Sequence, residues 1–194
     1  MRKDRLEAFT DGVLAILITI MVLELRIPHG IDLSVLTPML PVFLTYLLSF
    51  VYLGIYWNNH HHMFTLTETV NGAVLWANLH LLFWLSLVPF ATGWMGENHF
   101  APIPTALYGV VLFFAGVAYF VLQRLIIRQQ GENSPLRKAI GRDLKGKLSP
   151  VIYAVAIGLA FVHQLFADAL YVVVALMWLV PDSRIESRVI PPES

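Results

Sequence analysis

The residues able to do chemistry are few, and they lie in apolar surroundings. From Arg5 to Leu25 a mostly apolar run carries Asp11, Thr19 and Glu24. A carboxylate placed about one turn inside a membrane face is costly unless it has a partner. Arg5 on the same helix, or Asn58, Asn59, His60 and His61 on a neighbour, are the candidates, and His60 or His61 fits best. The competing duty for Thr10 or Asp11 is to cap a helix that starts there. Asp11 and Thr19 lie about 80° apart around a helix turning 100° per residue. Ile16, Thr19/Ile20 and Leu23 recur at i, i+3/i+4 and i+7, so they share one stripe. Such a stripe alone is ordinary packing, and a threonine in a membrane helix ordinarily bonds its own i−4 carbonyl.

A second group is Tyr56-Trp57-Asn58-Asn59-His60-His61-His62. Three adjacent histidines invite a metal reading, yet neighbours on a helix diverge by about 100°, whereas a helical zinc pair needs i, i+4 spacing. The chain has no cysteine, and no acid lies nearer than Glu68. No metal is expected. In a third group, Asn78 and His80 must find hydrogen bonds inside a bundle, and Pro89 must kink its helix. Ser49, Ser86 and Ser149 have no nucleophile-elbow context, and neither a Gly-rich phosphate loop nor a Thr-Val-Gly-Tyr-Gly filter is present. Neither an enzyme nor a cofactor is expected.

The elements that position these groups follow from composition. Of 194 residues, 57% are hydrophobic and 13% charged, about half the charged share of soluble domains, and the mean hydropathy is +0.67. That excludes soluble enzymes and nucleic-acid binders and points to an integral membrane protein. Lys and Arg are absent from 27–123 and again from 148–183. A span needs roughly 20 apolar residues. Turn signals at Pro28-His-Gly30, Pro38/Pro41, Asn71-Gly72, Gly96–His99, Pro102/Pro104 and His163–Asp168 divide the gaps. The spans fall at about 9–27, 39–64, 72–94, 104–127, 149–165 and 168–181, with a basic loop or surface helix at 128–147. The first is read as a retained span, not a cleaved leader, because no small-x-small site follows it. An even count puts both termini on one side. With them in the cytoplasm, every Lys and Arg except Arg26 is cytoplasmic, as the positive-inside rule requires. The expected protein is all-α: one six-helix membrane domain over 1–181 and a polar tail over 182–194. No two-fold internal repeat is evident, so a central pathway would have to come from several copies of the chain.

The motif Arg5-xxx-Phe9-Thr10-Asp11, followed by Ala15-Ile16, Thr19 and Val22-Leu23-Glu24-Leu25, resembles the signature of the transmembrane-protein-175 family of lysosomal potassium channels and their prokaryotic relatives. Thr10 stands where that family has serine. Trp57-xx-His60-His61-xx-Phe64 resembles the family's second-helix motif, and Asn78 with Pro89-Phe90 its third. The resemblance implies a homotetramer in a prokaryotic cell membrane, in contact with lipid and monovalent cations, with potassium permeating a central pore lined by the first helices. By position it implies a constriction at Ile16 with Ile20 and Leu23, and a hydroxyl ring at Thr19. Arg5, Phe9, Thr10, Asp11, Trp57, His60, His61 and Asn78 would form a structural network holding the pore helix. The alternatives are a proton-coupled transporter or proton pathway through Asp11 and His60/His61, and an intramembrane metalloenzyme on His60–His62.

Overall fold

The computed structural model describes residues 3–131, 133–141 and 143–179, and over these the chain is helix joined by short turns. α1 is Asp4–Leu23; a 3-10 segment, Leu33–Met39, leads into α2, Leu40–Thr65. α3 (Gly72–Ser86) and α4 (Val88–Glu97) follow, then α5 (Pro102–Gln130), α6 (Pro135–Ile140), α7 (Leu144–Leu159) and α8 (Gln164–Leu179). The expected tail, 182–194, with Arg184 and Arg188, lies outside the described residues.

Local chemistry sets the boundaries. Pro41, Pro102 and Pro135 sit in the first turns of α2, α5 and α6, where the missing N–H has no intrahelical partner to lose. Asn71 caps α3, its side chain accepting from Val74 N at 3.0 Å, and Asp143 caps α7 through Gly146 N at 3.1 Å. Pro89 cannot donate to the helix before it and crowds the preceding turn. The expected third span is accordingly interrupted at Leu87, between α3 and α4.

Two expectations change. α1 already begins at Asp4, so Thr10 and Asp11 lie inside the helix and cap nothing. The basic stretch 128–147 divides among the end of α5, the short α6 and the start of α7. Among the described residues, four helical stretches are long and apolar enough to cross a membrane: Asp4–Leu23, Leu33–Thr65, Gly72–Glu97 and Pro102–Gln130. α7 and α8 have 16 residues each, about 24 Å at 1.5 Å per residue, against a hydrocarbon core of about 30 Å.

Polar ties fix how the helices stack. At one end, Lys3 Nζ donates to the Phe64 carbonyl, Gln129 to the Thr69 carbonyl, Gln130 to the Leu66 carbonyl and Gln123 to Asp143. At the other, Arg26 meets Glu97 at 2.8 Å. In the middle, Ser49 lies 2.6 Å from Thr92 and 3.0 Å from the Tyr108 hydroxyl. Tyr52 donates to the Tyr171 carbonyl at 2.6 Å, and Tyr171 to the Thr105 carbonyl at 3.0 Å. These bonds join α2, α4, α5 and α8 around a buried core that includes Leu53, Leu112, Leu122 and Ala156. α4 meets α2 so closely that a Cβ on Gly96 would sit 2.7 Å from the Val42 Cα.

Candidate functional site

α1 uses two faces differently. Leu6, Thr10, Leu14, Leu17 and Met21 recur every three or four residues and are buried against the rest of the chain. The opposite face carries Arg5, Phe9, Gly12, Ile16, Thr19, Ile20 and Leu23, all exposed. Ile16 is 58% exposed, Ile20 40% and Leu23 81%. The stripe read from the sequence therefore faces outward from the single chain, toward lipid or another protein surface. Thr19 Oγ1 donates to the Ile16 carbonyl at 2.8 Å, one residue closer than the usual i−4 partner. Its proton is thus held by its own helix, and its lone pairs are left to face outward. A hydroxyl in that state can accept a donor or meet a cation.

The buried side of α1 enters a hydrogen-bonded clamp across three helices. Asn78 Nδ2 donates to Thr10 Oγ1 at 2.9 Å. Asn78 Oδ1, which can only accept, lies 2.8 Å from His60 Nε2. His60 is therefore protonated on Nε2, and its ring stacks on Phe64 with centroids 4.4 Å apart. Thr10, His60 and Asn78 are almost fully buried. Buried polar groups of this kind are costly unless each is paired, and here one amide bridges the other two.

Asp11 stands apart from this clamp. It follows Thr10 and so points about 100° away from it, which leaves it exposed in the single chain. Its carboxylate accepts from Trp57 Nε1 at 3.0 Å. Trp57 in turn stacks on His61, with centroids 6.4 Å apart and planes 20° from parallel. The expected bond from Asp11 to His60 or His61 is thereby corrected: His60 turns inward to Asn78, and the indole takes the carboxylate. Asn59 donates to its own Ile55 carbonyl. Arg5 and Phe9 lie on the open face of α1 and are not drawn into the clamp. His80, expected inside the bundle, is exposed and accepts from Trp84 Nε1 on its own helix at 3.0 Å.

Two features escaped the sequence reading. The indole N–H of Trp57 is an obvious donor on α2, yet its pairing depends on how α1 and α2 are rotated. The Ser49–Thr92–Tyr108 cluster had a visible signal, since hydroxyls inside apolar spans have to find partners. His60 and His61 do not converge, and the described residues contain no group of three or more His, Cys, Asp or Glu placed to hold a metal.

The sequence model of the family described as "Endosomal/lysosomal potassium channel TMEM175" matches residues 5–89, the stretch that contains the stripe, the clamp and the Asp11–Trp57 pair. A potassium channel of Chryseobacterium sp. (strain P1-3) is 55% identical over 186 residues, covering 96% of this chain and 97% of that one. A potassium channel of Streptomyces collinus is 28% identical over 189 residues, covering 91% of each. Among solved structures, the crystal structure of a lysosomal potassium-selective channel TMEM175 homolog from Chamaesiphon minutus superimposes with a TM-score of 0.81 at 28% identity, over 93% of this chain and 97% of that one.

Proposed function

The chain belongs to the endosomal/lysosomal potassium channel TMEM175 family, and from that premise we propose how it conducts potassium. It is a multi-pass membrane channel and not an enzyme. The permeant path runs along the open face of α1, with four copies of the chain meeting on a common axis. Ile16, Ile20 and Leu23 of each copy form the constriction. The observation that carries this reading is the two-faced α1: one side is fully committed to its own chain, and the other presents branched apolar side chains with a single hydroxyl among them. An ion crossing such a ring loses water with little in return, so the ring limits conductance by sterics and dewetting. Thr19, its proton already held by Ile16, supplies the oxygens that favour potassium.

Six crossings serve this arrangement: α1, α2, α3 with α4, α5, α7 and α8. The broken pair α3–α4 counts as one, and the 16-residue helices α7 and α8 as one each. Residues 1–181 make a single channel domain. The end holding Lys3, Arg5, Arg124, Arg128 and Lys147 faces the cytoplasm of a prokaryotic cell, and Arg26 faces outside. The Thr10–Asn78–His60 clamp and the Asp11–Trp57 bond hold α1 against α2 and α3 at the cytoplasmic end. The second reading, a proton-coupled transporter or proton pathway through Asp11 and His60/His61, is less favoured, because Asp11 bonds Trp57, His60 bonds Asn78, and His61 stacks on the Trp57 ring that stands between it and Asp11.

Purified protein in planar bilayers with potassium on one side and sodium on the other tests the function. The reversal potential should lie toward the potassium equilibrium value, and the conducting species should have the mass of four chains. A conducting monomer, or a reversal potential that follows the proton gradient alone, would overturn the proposal.

A further inference from the structure

A pocket lies where α2, α5, α7 and α8 meet. Ile55 and Tyr56 of α2, Gly116 and Phe120 of α5, Tyr153 of α7 and Trp178 of α8 stand in its wall, all of them buried or half-buried. Its free space is about 40 Å³, room for about three water-sized groups. Toward the start of α7 the wall turns polar, with Asn59, Gln123 and Asp143. Most of the polar lining is already engaged. Asn59 Nδ2 donates to the Ile55 carbonyl at 2.8 Å, and Trp178 Nε1 to Ser149 Oγ at 2.8 Å. Asp143 Oδ2 accepts from Gln123 Nε2 at 3.2 Å and Oδ1 from Gly146 N at 3.1 Å, so each carboxylate oxygen has a donor. The Tyr56 hydroxyl, by contrast, has no hydrogen-bond partner among the described residues. A Cβ on Gly116 would stand 3.9 Å from that hydroxyl and 3.9 Å from Tyr153 Cε2. The hydroxyl and the Tyr153 ring therefore border the same gap, and Gly116 keeps it open.

We infer that this pocket binds a small uncharged alcohol of two to four carbons, its hydroxyl on Tyr56 and its hydrocarbon end on the aromatic and aliphatic wall. Ordered water needs two to four polar partners, and a wall whose amides and indole are already bonded offers few. An anion finds no Lys, Arg or His in the described lining. A cation meets one carboxylate, Asp143, and both its oxygens are taken. An alcohol needs one polar partner and leaves the rest of its surface to apolar contact, which is what Tyr56 and the wall provide. Tyr56 adjoins Trp57, and Asn59 adjoins His60, the residues through which α2 holds Asp11 and Asn78. An occupant thus touches the helix that positions α1. The site is independent of where the ion path lies.

The test is fluorine NMR of the assembled channel in detergent, titrated with 3-fluoropropan-1-ol and, separately, with 3-fluoropropylammonium, which has the same length and carries a charge. Partition into detergent rises linearly and is common to every variant, so only the saturable part of the signal reports the site. The wild type should bind the alcohol saturably and the ammonium at least about tenfold more weakly. Gly116→Ala meets no clash and suits a helix, yet its methyl takes up free space, so it should weaken alcohol binding by at least about fivefold. Tyr56→Phe keeps the ring and removes the hydroxyl, and should weaken it by about threefold to tenfold. Phe166→Leu, at an exposed position on α8, should change nothing. The absence of a saturable component, ammonium binding as tight as the alcohol's, or unchanged alcohol binding in either folded pocket variant would each overturn the site. Potassium currents that persist in any of these outcomes leave the channel reading standing, so the two claims fail separately.

Discussion

At the scale of single residues, the clamp and the stripe make opposite demands. Asn78 satisfies both Thr10 and His60, so Asn78→Leu leaves two buried groups without partners. Each orphaned group costs about 1–3 kcal/mol, and the variant should unfold at a clearly lower temperature in detergent than the wild type. An unchanged melting temperature would show that water or repacking replaces the amide. Asp11 is exposed and makes one bond to Trp57, so Asp11→Asn, which keeps an acceptor oxygen, should cost less stability than Asn78→Leu. Thr19 is the stripe's hydroxyl. Thr19→Val preserves bulk and removes the oxygen, and it should move the potassium–sodium reversal potential toward zero, by about 59 mV for each tenfold loss of preference. A reversal potential that stays fixed would assign selectivity elsewhere.

At the scale of elements, the close contact between α2 and α4 deserves a direct perturbation. Gly96 sits where any Cβ would press on Val42 and Thr45, so Gly96→Val should push the helices apart and destabilise the protein by about 1–3 kcal/mol, measured by thermal or denaturant unfolding. A neutral effect would mean the α2–α4 contact is loose. Much of this layer could be read from the chain. Asn71-Gly72, Pro41, Pro102 and Pro89 act through local backbone chemistry, and the helices start or break at them. The stripe on α1 was equally visible, because helical periodicity alone puts Ile16, Ile20 and Leu23 together, but its facing outward from the single chain was not. The partner of Asp11 could not be read. It is set by the relative rotation of α1 and α2, and a turn of 100° separates the buried Thr10 from the exposed Asp11. The sequence reading placed six spans; among the described residues four helical stretches are long and apolar enough to cross a membrane, and α7 and α8, which correspond to the last two, have 16 residues each.

At the scale of the whole molecule, one chain leaves the wide apolar face of α1 uncovered among the described residues. Several copies meeting on that face would cover it and create the path at once. The chain contains no cysteine, which permits a direct measurement: introduce Ile16→Cys alone and apply a water-soluble thiol reagent while recording potassium current in a bilayer. The account predicts that most of the current is lost irreversibly, that potassium ions at high concentration slow the modification, and that Val155→Cys on the exposed side of α7 is insensitive. Undiminished current in Ile16→Cys, with the thiol shown by mass to be modified, would contradict a pore lined by α1.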